Sequence, residues 1–197
     1  MAAATILVLI IACSSIGLLS PRFLSWALLR PYLVAREPKY RVGLISSGFV
    51  HADLGHLIFN LITFYSFAFN LEATLGTVQF VTLYALGLVV SNIGTTLKHR
   101  DNPNYASLGA SGAISAVLFA SIVYFPQQRL FILPLPVPIP APWFALGYLA
   151  LTYYWSRRSK GTINHDAHLS GALTGLLFVA VTQPHAYSAL LDALIRS

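Results

Sequence analysis

Ser107-Leu108-Gly109-Ala110-Ser111-Gly112-Ala113-Ile114-Ser115-Ala116 is the stretch that decides how the rest of the chain is read. A hydroxyl flanked by residues without bulky side chains leaves room for a carbonyl carbon to approach the oxygen, which is what a nucleophile needs. Apolar sequence continues from Ile114 to Phe125, so Ser111 stands near the mouth of a buried helix and not on a wet loop. The same residues also have a plain packing reading, because Gly112 and Ala116 make the small-xxx-small face by which membrane helices touch. Which reading holds depends on what the remaining residues supply.

The chain has 197 residues, of which 56% are apolar and only 9% charged, with a mean hydropathy of +0.70. A soluble domain carries roughly 25% charged residues, so too few are present to cover a water-exposed surface. The composition implies an all-α, polytopic membrane protein. Twelve basic and six acidic residues give a net charge of +6. Because the basic residues fall between apolar runs, they fit anionic headgroups of the lipid bilayer rather than nucleic acid. Cys13 is the single cysteine, which excludes a disulfide within the chain and a cysteine-rich metal cage. Ile10-Ile11-Ala12-Cys13 has the look of a lipoprotein box but lacks a preceding Lys or Arg. Residues 2–20 are read as a first membrane span and not as a cleaved signal.

Spanning ~30 Å of hydrocarbon takes about 20 helical residues, and six stretches are expected to do it: 2–20, 54–71, 77–97, 109–125, 142–156 and 167–183. Residues 1–197 are expected to form a single membrane domain with a functional core at about 44–183. Residues 21–50 interleave basic and aromatic residues with leucines, which suits a segment in the headgroup region. Spans two and three form a tight pair around Asn70 to Gly76, and residues 98–107 make a polar loop. Pro134, Pro136, Pro138, Pro140 and Pro142 preclude a regular helix and imply an extended crossing. Residues 186–195 read as an interfacial helix. Loops one, three and five carry Arg22, Arg30, Arg36, Lys39, Arg41, Lys98, Arg100, Arg157, Arg158 and Lys160, against Arg129 and Arg196 on the other side. The positive-inside rule puts the first set in the cytoplasm.

A serine hydroxyl needs a base to take its proton, and histidine is the usual one. His168 opens span six and shares a helical face with Gly171 and Gly175. That glycine face lets another helix come very close; if the partner is span four through Gly112 and Ala116, His168 meets Ser111 at the same depth. His165 lies one turn nearer the water, whereas His99 and His185 read as solvated. Asp166 is two residues before His168 and points elsewhere; its expected role is to cap span six with Asn164, as Asp53 caps span two. The expectation is therefore a Ser-His pair without an acid. Acyl transfer also needs donors for the oxyanion, and His56 and Asn60 project from one face of span two. His51 reads as structural.

His51-x4-His56-x3-Asn60 on span two, Gly109-x-Ser111-Gly112 opening span four and Ala167-His168-x2-Gly171-x3-Gly175 on span six together resemble the rhomboid family of intramembrane serine proteases, over about residues 44 to 180. Glu72-x3-Gly76 is similar to a structural motif of that family. The resemblance implies a six-helix bundle with Ser111 as nucleophile and His168 as general base. It also implies an oxyanion hole of His56, Asn60 and the Ser111 backbone amide. Single-span membrane proteins are the implied substrates, with no metal, no cofactor and a bacterial cell membrane as the location. Many relatives carry a tyrosine four residues after the nucleophile, stacked on the catalytic histidine; here that residue is Ser115. Bacterial relatives also have cytoplasmic termini, the opposite of what the charge count gives. Other classes weighed are a catalytically inactive relative that binds membrane clients, a transporter, and a metal-dependent protease using His51, His56, His165 and His168, for which no His-Glu-x-x-His pattern is present.

Overall fold

Helix α7 (Ser111–Tyr124) stands at the centre of the protein, with every residue from Gly112 to Val123 buried. The computed structural model describes residues 1–132, 135–158 and 163–196; Pro134 and Lys160, singled out above, lie outside them. Around α7 pack α5 (Leu54–Leu75), α6 (Thr77–His99), α9 (His165–Thr182) and α10 (Ala186–Arg196). Helix α8 (Ala141–Arg158) lies outside against α9, and α1 (Ala2–Leu19) leans on α5. Helices thus stand at all six expected positions. Three of them, α1, α5 and α6, are long and apolar enough to cross a membrane.

Local chemistry sets the helix ends. Asp53 Oδ1 accepts the His56 amide at 2.8 Å, the N-cap expected for α5. That helix stops at Gly76, whose φ of +79° suits a residue without a Cβ. Helix α6 starts at the next residue, giving the tight pair the sequence implied. Glu72 is buried yet satisfied: its carboxylate accepts the amides of Ala2 and Ala3 at 2.7 and 2.9 Å and the Thr77 hydroxyl at 2.9 Å. Helix α7 ends at Phe125, where Pro126 disfavours continued helix.

Residues 21–50 form α2 (Pro21–Ala27), α3 (Pro31–Val34) and α4 (Gly43–Ser46), with single 3-10 turns at Pro38–Val42 and Ser47–Phe49. This segment is tied to the polar loop by two backbone bonds of 2.9 Å between Leu29 and Ser107. Asn92, buried on α6, donates to the Leu44 carbonyl at 2.9 Å and to Ser47 Oγ at 3.2 Å.

One expectation about the chain path is corrected. The proline-rich stretch is extended as expected, but it turns back as β2 (Leu135–Pro140) on β1 (Arg129–Ile132), an antiparallel pair with Arg129 opposite Pro140 and Leu130 opposite Ile139. Alternate prolines are compatible with such an edge because a strand points only every second backbone pair at its partner. Pro142 belongs instead to the first turn of α8, where its missing N–H costs nothing. The tail helix α10 packs one face against α7, with the Tyr187 hydroxyl donating to the Leu176 carbonyl at 2.6 Å and Ala193 buried, and leaves Leu191 and Ile195 exposed on the other.

Candidate active site

The geometry of the candidate site begins with two helices that touch through backbone. A Cβ at Gly171 would collide with the Gly112 carbonyl, and one at Gly175 with that of Ala116. Helix α9 therefore lies directly on α7, as the glycine spacing implied, and no side chain separates the two. At the head of this seam His168 Nε2 is 2.7 Å from Ser111 Oγ, a distance for proton transfer without rearrangement.

The start of α9 is fixed by Asn164. Its Oδ1 accepts the Ala167 amide at 3.0 Å, and its Nδ2 donates to Thr95 Oγ1 on α6 and Ser107 Oγ in the polar loop, both at 2.9 Å. Asn164 thus caps α9 and ties it to α6 and to the segment leading to Ser111. Asp166 does not share that capping. It pairs with Lys98 Nζ at 2.7 Å and lies 3.5 Å from His99 Nε2, because long-range partners on α6 outcompete the local amides. His99 is accordingly not a solvated loop residue: it is half-buried and stacked on Tyr105, ring centroids 3.7 Å apart. His165 sits beside the Trp155 ring at 6.4 Å, and His185 is exposed as expected.

On α5, Asn60 is buried and lines the same cavity as Ser111 and His168. Its Nδ2 already donates to the His56 carbonyl at 2.9 Å, which leaves one N–H of that amide for a ligand. His56 stands against Gly109, where a Cβ would meet its Cε1 at 2.8 Å; Gly109 has φ +113°, a conformation that only glycine takes easily. Burial, with the neighbouring His56 imidazole adding to it, pushes the His51 imidazole down to about 4.

The cavity has a volume of about 730 Å³. It runs between α5 and α8, from Ser111, His168 and Asn60 past Ser115 and Tyr148 to Phe131 on β1. Ser115 is buried, and its hydroxyl lies 3.1 Å from the Tyr148 hydroxyl of α8. The Ser115 hydroxyl is thus engaged by α8, and an α8 tyrosine contributes to the cavity wall. Sequence reading missed Tyr148 and the triple role of Asn164. Asn164 left one signal, an amide side chain with both donor and acceptor just ahead of an apolar helix. Tyr148 left none, since nothing local links it to residue 115.

The sequence profile of the Rhomboid domain matches residues 38–185. The chain belongs to the rhomboid family. Mitochondrial Rhomboid protein 1 of Saccharomyces cerevisiae is 29% identical over 160 residues, covering 78% of this chain and 46% of the yeast protein. The human mitochondrial Presenilin-associated rhomboid-like protein is 35% identical over 146 residues, covering 69% of this chain and 36% of the human protein. Mitochondrial RHOMBOID-like protein 12 of Arabidopsis thaliana is 27% identical over 144 residues, 66% of this chain and 43% of the plant protein. The chain therefore spans less than half the length of these curated rhomboid relatives. It is an integral, multi-pass membrane protein, and all three relatives are named as mitochondrial.

Proposed function

We propose that this rhomboid is a serine endopeptidase that hydrolyses peptide bonds in or near the transmembrane segments of single-span membrane proteins. The observation that carries the reading is the 2.7 Å approach of His168 Nε2 to Ser111 Oγ at the wall of a groove large enough for several residues of substrate. Ser111 Oγ attacks the carbonyl carbon while its proton passes to His168 Nε2. The same proton then goes to the departing amide nitrogen as the C–N bond breaks, leaving an ester on Ser111. Water, giving a proton to His168, releases the acyl product and restores the serine. The oxyanion is held by the Ser111 amide, the free N–H of Asn60 and the His56 ring.

In this reading six helices cross the membrane, and residues 1–197 act as one domain with its catalytic core at 44–183. Neither metal nor cofactor takes part. A bacterial cell membrane is the proposed location; fractionation of the tagged chain in its own host decides between that and the mitochondrial location of the named relatives. The activity test is labelling of the purified protein by a fluorophosphonate, with Ser111→Ala and His168→Ala in parallel. Labelling of the wild type alone is expected. A wild type that stays unlabelled while binding membrane clients would instead be the inactive, client-holding relative.

A further inference from the structure

Helix α1 reaches the site through one side chain. Ser14 is fully buried; its Oγ donates to the Phe49 carbonyl at 3.1 Å and lies 2.9 Å from His51 Nδ1. His51, also fully buried, receives the Ala110 amide at Nε2 over 3.4 Å. Only one arrangement of protons satisfies all of these groups. The Ala110 N–H can only donate, so Nε2 is bare and Nδ1 carries the hydrogen. Nδ1–H then donates to Ser14, whose own hydrogen goes to Phe49. The other neutral tautomer, like the protonated ring, would set Nε2–H against the Ala110 N–H, two donors facing each other in a buried space.

The loop end of this chain matters for chemistry. The Gly109 amide donates to the Ser47 carbonyl at 2.8 Å and the Ala110 amide to His51, so two consecutive peptide groups are pinned immediately before Ser111. The next amide in the series is that of Ser111, at the first position of α7, where helix geometry leaves it without an intrahelical acceptor.

We propose that Ser14 and His51 are positioning residues: Ser14 fixes the tautomer of His51, and His51 Nε2 fixes the Gly109–Ala110 peptide, so that the Ser111 amide is aimed at the developing oxyanion. The low proton affinity of the His51 ring fits this, since a neutral ring is what the bonds require. The inference rests on the protease reading for its catalytic consequence, but the bond chain itself can be read without activity.

The test has two arms. Nitrogen NMR of wild-type protein labelled in the histidine rings, assigned with His51→Gln, reports the tautomer near pH 7. A neutral ring protonated at Nδ1 is expected; Nε2–H or a charged ring overturns the proposal. In the second arm Ser14→Ala and Ser14→Cys, both close in volume to serine and both poor acceptors, are assayed on a single-span substrate. A fall in kcat of about fivefold to tenfold in both, with KM within about twofold, is the expected loss of a transition-state contact. Wild-type kcat in both variants, or a matching rise in KM alone, overturns it. If the wild type neither cuts nor labels while Nδ1–H is found, the protease reading fails and the bond chain stands; the reverse result sinks the bond chain alone.

Discussion

The seam of α7 and α9 and the outer helix α8 line one cavity but bury themselves very differently. All residues from Gly112 to Val123 of α7 are buried, whereas α8 buries Ala141, Pro142 and Thr152 and exposes Leu146, Leu151, Tyr153 and Tyr154. The seam is made of backbone against backbone, with Gly171 on Gly112 and Gly175 on Ala116. Helix α8 meets the seam's side chains through contacts such as the Ser115–Tyr148 hydroxyl pair. In lipid no hydrophobic force separates these cases, so packing density and hydrogen bonds decide how firmly each helix is held. The Ser111–His168 pair, 2.7 Å apart, rides on the firm part, and the groove opens along the loosely held one.

The comparison breaks most completely at its chemical end. Ser111→Ala or His168→Ala is expected to reduce cleavage of a co-reconstituted single-span substrate by about 10³-fold or more without altering thermal unfolding in detergent; retained cleavage removes the residue from the mechanism. Next comes the seam. Gly171→Leu forces a side chain into the Gly112 carbonyl and should cost about 3 kcal/mol or more, seen as a lower unfolding midpoint and lost labelling together. A folded, labelled Gly171→Leu protein would mean that the seam is not what holds the pair. A smaller effect is expected at the outer wall: Tyr148→Phe removes one interhelical hydrogen bond worth about 0.6–1 kcal/mol and should leave the fluorophosphonate labelling rate within about twofold. Smallest of all, Leu151→Ala on the exposed face of α8 should change stability by no more than about 0.5 kcal/mol; a loss near that of Gly171→Leu would erase the distinction between the two walls.

Much of the firm part was legible because its signals are local. The glycines at 171 and 175 share a face by helical period alone, Asp53 announces its helix by position, and Ser111 stands out by its small neighbours. The loosely held part was legible only in outline. The prolines at 136, 138 and 140 say extended backbone, but the pairing with Arg129–Ile132 is a matter of long-range register. Asp166 was expected to cap its own helix, yet Lys98 and His99 come from 60 or more residues away and leave no trace in local spacing. Ser14 is the extreme case, one serine in an apolar span whose partners at Phe49 and His51 appear only when two helices are set side by side.

The shortness of α7 carries a consequence for where the proposed protease cuts. Fourteen residues rise only ~21 Å against ~30 Å of hydrocarbon, so a crossing at this helix needs flanking chain or a locally thinner bilayer to make up the difference. In the proposed protease reading, the depth of the severed bond is then a length, set by this short helix and by the thickness of the surrounding lipid. Vesicles of shorter or longer acyl chains should slide the cut along a substrate's span, and terminal sequencing of the products would measure the shift.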